Sequence, residues 1–553
     1  MSASDQSSES LTHPSWYSPD VGIYCSRHRP IPLPDEVDFV TYLLSQEHGG
    51  KHALVDLATG STMSYCQLHT SVKCMASRLH EMGVTKGDVV LVLLPNCVYY
   101  PIVVLGVIYL GAVITTMNPA SSESEVKQRV RDCKVRTAFC GRDRASELSS
   151  LGVPEVIAVP ENPGDVENWD RGCLFHEMVY GKMGMPPPKR SIGQEDTAAI
   201  IYSSGTTGPS KGVILTHQNL ISMLELFVKF EASQYEYPST DNVYLAVLPM
   251  FHIYGLSLFV MGLLAIGTRV VVMQRFDLLE AIEAIDKYGV THFPMVPPIL
   301  LSITTRFKTC TGGALLSLKQ VSCGAAPTNR KWIEDFRRTF PNVDFIQGYG
   351  MTESAAVGTR GFNTGKIYRY TSIGLLAPNM EAKVADLRTG SPLPPGRNGE
   401  LLLRGPAIMK GYLNNPEATR LTINEDGWLH TGDIVYFDRD GYIYVVDRLK
   451  EIIKYKGYQV PPADLEGIMI THPDIDDVAV AGLLHEECGE IPAAFVVRRR
   501  GSSLSEEAVK DYVAKQVASY KKVRKVIFVS AVPRSPSGKI LRRELRESIT
   551  SRL

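Results

Sequence analysis

The sequence lacks the features that mark several protein classes. Its 58 lysine and arginine residues nearly balance its 59 aspartate and glutamate residues, and the net charge of -1 predicts no general attraction to nucleic acid or to an anionic membrane. The ten cysteines form no C-x-x-C pair, so we expect neither a disulfide framework nor a structural zinc site, and a reducing compartment fits best. The opening residues, MSASDQSSESLTHPSW, have no apolar core and do not resemble a secretory signal.

A long membrane-spanning run is also lacking. The most apolar stretch, residues 88–119, is interrupted by Pro95 and Pro101, and its pattern predicts a strand at 89–94, a helix, and a second strand at 112–116. Short apolar strands around a helix are typical of a buried α/β core. We therefore predict no transmembrane segment.

Strand and helix patterns alternate along most of the 553 residues, which is enough chain for several domains. Ser122-x-x-Glu125 is a capping box that should open a helix, and short strands with Gly and Pro turns from residue 373 predict a β-rich subdomain. We predict an α/β fold, with a large N-terminal domain of two α/β subdomains plus the β-rich subdomain, and a small mobile C-terminal α+β domain. The predicted boundaries are a flexible, unstructured lead-in at 1–35, the large domain at 36–449, the small domain at 450–550, and a separate tripeptide at 551–553.

A hydroxyl-rich loop, residues 202–212, gives the first indication of chemistry. Its glycines allow close approach of the backbone, its hydroxyls can donate to phosphate oxygens, and its lysine adds positive charge, so we predict a site for the phosphates of ATP. The loop does not match the G-x-x-x-x-G-K-[ST] fingerprint of nucleoside triphosphatases. We expect it where a strand at 197–201 turns towards a helix at 217–230, and the alternative is a plain surface connector. The candidate phosphate-binding residues are Ser203, Ser204, Gly205, Thr206, Thr207, Gly208 and Lys211.

Two basic clusters, residues 498–500 and 521–525, could suggest nucleic-acid binding. They lack interleaved aromatic residues and any known nucleic-acid motif. We therefore expect solvated surfaces, and contact with the phosphates of coenzyme A is the alternative.

Further motifs follow the loop in a fixed order. They are Gln347-Gly348-Tyr349-Gly350-Met351-Thr352-Glu353, Thr431-Gly432-Asp433 followed by Asp447-Arg448, Lys454-Tyr455-Lys456-Gly457-Tyr458-Gln459, and Pro536-Ser537-Gly538-Lys539. Together with the loop, this set resembles the motifs of the adenylate-forming enzymes, the superfamily of acyl-CoA synthetases, luciferases and adenylation domains. Residues 249–254 (PMFHIY) and 395–400 (PGRNGE) are most similar to plant 4-coumarate:CoA ligases and their peroxisomal relatives.

The resemblance implies a carboxylate:CoA ligase that uses ATP, Mg²⁺ and coenzyme A. A carboxylate would attack ATP to give acyl-AMP and pyrophosphate, and the thiol of CoA would then displace AMP. Cations must offset the like charges of the reactants, so Lys539 would act in the first step and Glu353 would hold Mg²⁺. Asp433 and Arg448 would bind the ribose, and Tyr349 the adenine. The other nucleotide-binding residues that the resemblance implies are Gly324, Ala325, Ala326, Gln347, Gly348, Gly350 and Thr352.

The second step requires a different surface of the small domain at the site. Lys539 covers the acyl carbonyl during the first step, and CoA must reach that carbonyl in the second step. The family rotates its small domain, and the resemblance implies that Lys450 is the hinge. Lys454 and Gln459 would then act near the acyl-adenylate, and His252 would border the path of CoA. A buried structural imidazole is the alternative for His252. The implied CoA-binding residues are Lys456 and Gly457.

The positions that match the family's acyl pocket carry small side chains. Where coumarate ligases tend to have asparagine, lysine, proline and leucine, this chain has Ser257, Ser322, Ala356 and Gly358. Loss of that bulk predicts a wider or longer cavity. We expect an aromatic, hydroxycinnamate-type acid or a fatty or jasmonate-precursor-type acid, and a bulkier acid than 4-coumarate. The implied pocket residues are Ile253, Tyr254, Ser257, Pro294, Ser322, Gly324, Gly348, Ala356, Val357 and Gly358.

Three other functions share parts of this pattern. A luciferase-like oxygenase has the same adenylation step, but residues 251–256 are more similar to the plant ligases. An adenylation domain that loads a carrier protein would normally be followed by that carrier, and we expect no room for one after Lys539. A non-catalytic nucleotide-binding homologue would be expected to lack Lys539 or Glu353, and both are present.

The last three residues suggest a cellular address. Ser551-Arg552-Leu553 resembles the S-K-L tripeptide that a peroxisomal import receptor recognises. We predict a peroxisomal location, and the alternative is a cytoplasmic one.

Overall fold

The computed structural model describes residues 15–160, 174–182, 184, 192–203, 210–235, 238–308, 315–361, 369–455, 458–485, 488–517, 519–535 and 538–550. These residues form four β-sheets with helices packed against them. The predicted fold class is confirmed, since the chain is α/β with a small C-terminal domain of strands and helices. The exact domain boundaries and the mobility of the small domain stay predictions.

A seven-stranded sheet contains the apolar runs of the first part of the chain. The stretch 88–119 forms the parallel pair Val89–Leu93 and Val113–Thr116, joined by the buried helix Tyr100–Tyr109, as predicted. Strands buried on both faces are nearly all apolar, which is why they read as continuous runs. In spatial order the strands are Gly411–Tyr412, Lys211–Thr216, Thr197–Ser203, Val113–Thr116, Val89–Leu93, Thr137–Cys140 and Glu155–Ala158.

A nine-stranded sheet forms the second layer. Three adjacent parallel strands, His292–Met295, Gln320–Cys323 and Asp344–Tyr349, end at the same edge. Residues that follow such strands lie close together, which is where α/β proteins bind ligands. In spatial order the strands are Leu375–Leu376, Thr359–Arg360, Asp344–Tyr349, Gln320–Cys323, His292–Met295, Val243–Ala246, Arg269–Val272, His52–Asp56 and Thr62–Ser64.

The β-rich part is a six-stranded antiparallel sheet that includes the start of the described chain. Ile23–Cys25 pairs with Glu381–Ala385, and the ring of Tyr24 stacks 4.1 Å from that of Phe437. The prediction of an unstructured lead-in is therefore wrong at residues 17–25, because strands distant in sequence supply their partners. In spatial order the strands are Tyr17–Ser18, Ile23–Cys25, Glu381–Ala385, Gly399–Arg404, Leu429–Phe437 and Ile443–Arg448.

A five-stranded sheet organises the end of the chain. It has its own hydrophobic core, which includes Ile453, Leu465 and Val480. The amine of Lys331 donates to the carbonyl of Ile470 at 3.1 Å, so this unit contacts the nine-stranded half of the molecule. The strands are Tyr458–Val460, Ile453–Tyr455, Gly489–Arg498 and Ile475–His485 in spatial order, and Lys525–Phe528 pairs with Gly489–Arg498.

The helices begin and end largely where the sequence indicates. The capping box of Ser122 and Glu125 is present at the start of Glu123–Cys133, as predicted. The α-helices are Phe39–Leu44, Tyr65–Glu81, Tyr100–Tyr109, Glu123–Cys133, Ala145–Ser150, Leu174–Tyr180, His217–Met223, Phe230–Ser233, Ile253–Gly255, Leu263–Ala265, Leu278–Tyr288, Pro297–Lys308, Arg330–Thr339, Pro416–Thr422, Pro462–Met469, Glu506–Ala514 and Arg542–Thr550. Two π-helical segments, Leu224–Lys229 and Leu256–Gly262, continue helices of this set. In the part of the chain that the structure describes, no helix is both long and apolar enough to cross a membrane.

Candidate active site

The hydroxyl-rich loop joins two antiparallel strands. Thr197–Ser203 pairs with Lys211–Thr216, and Ser203 lies directly opposite Lys211. The prediction that a strand turns here towards a helix is wrong, because a second strand intervenes before the helix His217–Met223. The hairpin nevertheless fixes both ends of the loop at one edge of the sheet. The predicted phosphate-binding residues Ser204, Gly205, Thr206, Thr207 and Gly208 lie outside the described residues.

A tyrosine connects this hairpin to the predicted metal-binding carboxylate. The hydroxyl of Tyr412 donates to Oε1 of Glu353 at 2.9 Å, and the amine of Lys211 lies 4.8 Å from the centre of the Tyr412 ring. The strand Gly411–Tyr412 pairs with the strand that begins at Lys211, which holds the three side chains together. Glu353 is 7% exposed, and Thr352 beside it is also buried. One carboxylate oxygen of Glu353 is thus oriented by Tyr412, while Oε2 is not part of that bond.

Asp433 is the centre of a second buried cluster. The hydroxyl of Tyr349 donates to its Oδ2 at 2.6 Å, and Nε of Arg448 lies 3.0 Å from its Oδ1. Asp433 and Arg448 are cross-strand neighbours in the six-stranded sheet, whereas Tyr349 ends a strand of the nine-stranded sheet. The three predicted ribose and adenine contacts are therefore adjacent, although they come from two sheets. Charge-assisted hydrogen bonds of this kind fix a carboxylate in one orientation.

Lys539 reaches this cluster from the C-terminal unit. Burial and, to a smaller extent, the charge of Arg448 lower the pKa of the Lys539 amine to about 8, against the opposing effect of the carboxylates of Asp433, Glu353 and Glu451. The amine is therefore within electrostatic range of Asp433, Glu353 and Arg448. The backbone of Lys539 is held by a hydrogen bond, since the amide of Ser535 donates to the carbonyl of Lys539 at 2.8 Å.

Gly538, which precedes Lys539, packs closely against Val296 and Pro298 of the large domain. Its φ is +80°, a left-handed value that favours glycine, and an added Cβ would lie 3.2 Å from Cδ of Pro298 and 3.3 Å from Cβ of Val296. The Lys539 turn thus packs directly on the residues that follow the strand His292–Met295.

Three of the predicted acyl-pocket residues, Pro294, Ser322 and Gly348, belong to strands of the nine-stranded sheet. Ser322 is opposite Pro294 in the strand register, and its Oγ lies 3.4 Å from the hydroxyl of Tyr254. A Cβ added to Gly324 would lie 3.2 Å from the Tyr254 ring, so glycine is what allows the ring to cover the sheet. Ile253, Ser257 and Val357 are also buried, and Ser257 Oγ donates to the carbonyl of Tyr254 at 3.2 Å.

The loops that close the pocket have an unusual backbone. Ala325, Ala355 and Ala356 have positive φ values of 67°, 50° and 65°. Residues other than glycine rarely adopt this conformation, and where they do, the strain is often found at functional sites. A Cβ at Gly350 would lie 2.2 Å from the carbonyl oxygen of Ala356, and a Cβ at Gly358 would lie 2.5 Å from that of Tyr349. The chain therefore folds back on itself at this point.

Gln347 and Ala326 have supporting positions. Nε2 of Gln347 donates to the carbonyl of Tyr370 at 2.8 Å, which holds the segment after residue 368 against the strand Asp344–Tyr349. Ala326 is half-buried and follows Ala325 after the strand Gln320–Cys323.

Comparison with known proteins agrees with this geometry. Residues 44–413 match the family described as AMP-binding enzyme, and residues 464–539 match the description AMP-binding enzyme C-terminal domain. The chain belongs to the AMP-binding enzyme family. It is 55% identical over 541 residues to the protein named 4-coumarate--CoA ligase-like 6 of Arabidopsis thaliana, covering 97% of this chain and 95% of that protein.

Two further similarities concern a peroxisomal relative and a solved structure. The chain is 43% identical over 533 residues to Peroxisomal OPC-8:0-CoA ligase 1 of Arabidopsis thaliana, covering 96% of each protein. It matches the crystal structure of ATP-bound MatB from Rhodopseudomonas palustris with a TM-score of 0.84 and 27% identity, covering 92% of this chain and 98% of that one. The predicted family membership is confirmed, and the predicted enzyme class, an acid–thiol ligase, agrees with the names of both plant relatives.

Two of the residues predicted for the second step, Lys450 and Lys454, are exposed in this AMP-binding enzyme. Lys454 is exposed, and its amide donates to Oε2 of Glu490 at 2.8 Å. Gln459 lies opposite Lys454 in a strand pair, and Lys450 is exposed in the turn after Arg448. The predicted CoA-binding residues Lys456 and Gly457 lie outside the described residues.

His252 is on the side of the site that Lys539 approaches. Its Nδ1 accepts from the amide of Tyr254 at 3.5 Å and caps the short helix Ile253–Gly255. Burial and, to a smaller extent, the charge of Lys539 lower the pKa of His252 to about 4. The imidazole is therefore neutral at physiological pH, which fits both a structural cap and a border of the CoA path.

Several residues of the two basic clusters contact other side chains of the C-terminal unit. The guanidinium of Arg498 lies 3.4 Å from the ring centre of Phe528, and Nε of Arg499 lies 3.2 Å from Asp476. The amine of Lys521 lies 2.6 Å from a carboxylate oxygen of Asp464. These contacts account for several of the charges without a nucleic-acid partner.

Sequence reasoning missed three residues that the structure places next to the site. Tyr412 orients Glu353, and the ion pair of Glu231 and Arg360 lies behind Tyr254 and Gly348. The short apolar run of Ala407, Ile408 and Met409 before Gly411-Tyr412 could have indicated a buried segment, but no local pattern links Glu231 to Arg360.

Proposed function

We infer that the protein is an ATP-dependent carboxylate:CoA ligase. In the first step a carboxylate oxygen bonds to the α-phosphorus of ATP, and pyrophosphate leaves. In the second step the CoA sulfur bonds to the acyl carbon, AMP leaves with the carboxyl oxygen, and the thiol proton goes to solvent. The observation that carries this inference is the approach of Lys539 to Asp433, Glu353 and Arg448, since a cation among these groups suits adenylate formation.

Lys539 would act on charge in the first step. The carboxylate and the polyphosphate repel each other, and a preorganised cation stabilises the charge that develops between them. Burial lowers the pKa of the Lys539 amine only to about 8, which is still above neutral pH. The amine therefore remains largely protonated at neutral pH. Asp433 would bind the ribose hydroxyls, and Tyr349 and Arg448 would hold that carboxylate in place.

Glu353 fits a magnesium site in which one carboxylate and the phosphates of the substrate share the ion. Mg²⁺ prefers oxygen ligands and often keeps several waters together with substrate phosphates. Among the described residues there is no group of three or more His, Cys, Asp or Glu side chains that could hold a metal alone. Glu353, with Oε1 fixed by Tyr412, would therefore share the ion with phosphate oxygens, and the ion would offset phosphate charge.

The second step would use another face of the C-terminal unit. In this arrangement Lys539 is buried near Asp433, and Lys454 is exposed to solvent. We propose that rotation about Lys450 exchanges the two lysines, bringing Lys454, Gln459, Lys456 and Gly457 to the acyl-adenylate. The neutral imidazole of His252 would border the path of CoA.

The substrate would be a carboxylic acid larger than 4-coumarate. This proposal is supported by the small residues Ser257, Ser322, Ala356 and Gly358. The Tyr254 ring lies directly over Gly324, and Arg360 lies over Gly348, so these two larger side chains would limit the size of the acyl space. Candidate acids are a jasmonate-type cyclopentanone octanoate, a medium or long fatty acid, and a substituted cinnamate. The relative named a peroxisomal OPC-8:0-CoA ligase supports a large pocket.

A peroxisomal location is the final part of the proposal. It is supported by the peroxisomal relative and by the resemblance of Ser551-Arg552-Leu553 to an import tripeptide. Those three residues lie outside the described part of the structure. A fluorescent fusion placed at the N-terminus, with and without the tripeptide, would test import by the peroxisomal receptor.

The experiment that tests the activity is pyrophosphate release from ATP and Mg²⁺ across a panel of carboxylic acids. Each acid is assayed with and without CoA, and the thioester is identified by mass. We expect at least one acid to release pyrophosphate and to give a CoA-dependent thioester. If no acid releases pyrophosphate, the proposed activity is wrong and only the fold remains shared with the family.

A further inference from the structure

A buried arginine packs against the first residue of the hydroxyl-rich loop. Arg129 belongs to the helix Glu123–Cys133 and is 7% exposed. The central carbon of its guanidinium lies 3.4 Å from the ring centre of Tyr202, which precedes Ser203 at the end of its strand. A guanidinium at this distance stacks on the ring, and such cation–π contacts are strongest where water is excluded.

The polar contacts of Arg129 hold the plane of its guanidinium in place. Its Nη1 donates to the carbonyl of Thr116 at 2.8 Å and to Oγ1 of Thr115 at 3.3 Å. Both residues end the strand Val113–Thr116, which pairs in parallel with the strand that carries Tyr202. The adjacent strand thus fixes the guanidinium against the tyrosine ring.

The acceptors of Arg129 are a carbonyl and a hydroxyl, and neither cancels its charge. Burial lowers the pKa of Arg129, but an arginine side chain stays protonated in proteins. Burying a cation costs free energy, which the stack on an electron-rich ring offsets in part. We therefore looked for a role that needs the stack at this position.

The ring of Tyr202 also contacts the second strand of the hairpin and the end of the helix. Tyr202 lies opposite Gly212 in the strand register, and a Cβ added to Gly212 would lie 2.9 Å from Cε2 of the ring. The Tyr202 hydroxyl lies 3.7 Å from Sγ of Cys133, the last residue of the helix that carries Arg129. One ring therefore joins this helix to both strands that enclose the loop.

We propose that Arg129, by stacking on Tyr202, positions the hydroxyl-rich loop to bind the β- and γ-phosphates of ATP. Arg129 is a positioning residue in this role, because it acts through Tyr202 and not on the nucleotide. The inference rests on the proposed ligase function and adds a residue that none of its sequence motifs contains. A loop whose ends are fixed in advance loses less conformational freedom when it binds a ligand, and this raises affinity.

The test compares the dissociation constants of ATP and AMP for the full-length protein and for Arg129→Gln. Binding is measured by isothermal titration calorimetry with Mg²⁺ and without a carboxylic acid, so that no turnover occurs. Glutamine can still donate to the carbonyl of Thr116 but has no guanidinium to stack. We expect the Kd of ATP to rise about tenfold, as for loss of a desolvated cation–π contact. The Kd of AMP should change much less, because AMP lacks the two outer phosphates.

The matched control is Arg144→Gln. Arg144 is another partly buried arginine beside the same sheet, and it donates to the carbonyl of Ser121 at 3.0 Å and pairs with Glu147. This variant should leave both dissociation constants unchanged.

A double-mutant cycle tests whether Tyr202 carries the effect. Tyr202→Leu removes the ring, and combining it with Arg129→Gln should raise the Kd of ATP no further than the more damaging single change. Tyr202→Phe keeps the ring face and should lose much less affinity than Tyr202→Leu. If Arg129→Gln does not fold, the comparison of these two Tyr202 variants tests the same stack.

The possible outcomes separate this inference from the function it rests on. An unchanged Kd of ATP in folded Arg129→Gln would overturn the role of Arg129, and the ligase function would stand. Equal losses for ATP and AMP, or additive effects in the double variant, would overturn it as well. No binding of ATP by the unmodified protein would overturn both proposals.

Discussion

Tyr412 donates a hydrogen bond of 2.9 Å to Glu353, and its ring lies beneath the amine of Lys211. The contact joins the hydroxyl-rich loop to the predicted magnesium ligand through one side chain. The two halves of the phosphate site are therefore coupled mechanically as well as by the ligand they would share.

The variant Tyr412→Phe should lower the affinity for Mg²⁺ and should change the maximal rate at saturating Mg²⁺ much less. The variant keeps the ring under Lys211 but leaves Glu353 without its orienting donor, and such supporting contacts affect metal affinity by about tenfold or more. The measurement is the Mg²⁺ concentration that gives half-maximal pyrophosphate release. Tyr444→Phe, which removes a hydroxyl bound to Asp438 at 3.3 Å, is the control. An unchanged Mg²⁺ requirement would show that Tyr412 does not position the ligand.

Lys539→Ala should separate the two half-reactions. Removing the cation should slow acyl-AMP formation by about a hundredfold or more, because it is aimed at charge that develops in that step. Thioester formation from supplied acyl-AMP should change little, since the amine is not required there. The control is Arg543→Ala, whose ion pair with Glu547 is exposed. Equal losses in both half-reactions would refute this division of roles.

The pH dependence of acyl-AMP formation should report the amine of Lys539. Burial lowers the pKa of this amine to about 8, so the active cation is lost as the pH rises through that value. We expect kcat/KM for pyrophosphate release without CoA to be level near neutral pH and to fall above pH 8. Omitting CoA excludes titration of its thiol.

The variant Lys539→Arg provides the comparison for this profile, because arginine keeps its charge over the whole range. Its residual activity should show no decline near pH 8. A decline that persists in the arginine variant would assign the titration to another group. His252 should not contribute between pH 6 and 9, since its pKa is lowered to about 4.

Arg542→Met should destabilise the C-terminal unit. Arg542 bonds to Glu466 at 2.7 Å and to Glu451, and these three side chains are no more than 15% exposed. Removing the cation leaves two buried carboxylates without their partner, which costs about 3 kcal/mol. Thermal unfolding should show a lower Tm, whereas the neighbouring Arg543→Met, at an exposed pair, should change it little. Equal Tm values would contradict the assignment.

Local patterns were sufficient where structure depends on neighbours in sequence. The capping box of Ser122 and the apolar strands around residues 89 and 113 were predicted because helix caps and buried strands have characteristic compositions. The motif order likewise identified Glu353, Asp433 and Lys539, and the structure places all three within electrostatic reach of one another. Their chemical roles stay predictions.

Contacts between distant segments could not be predicted in the same way. Lys211–Thr216 pairs with Thr197–Ser203 across the loop and with the distant strand Gly411–Tyr412, whereas the phosphate-loop pattern predicts a helix directly after the loop. The pair of Glu231 and Arg360 forms only when a helix and a strand from separate regions meet. The hydrophobic periodicity of a single sequence does not predict which distant segments will be in contact.

The short strands at Tyr17–Ser18 and Ile23–Cys25 have a practical consequence for protein engineering. They extend the same sheet whose Leu429–Phe437 strand carries Asp433, and Tyr24 packs against Phe437 of that strand. An expression clone trimmed to residue 36, on the assumption that the preceding residues are dispensable, would remove the edge of the sheet that supports the nucleotide site.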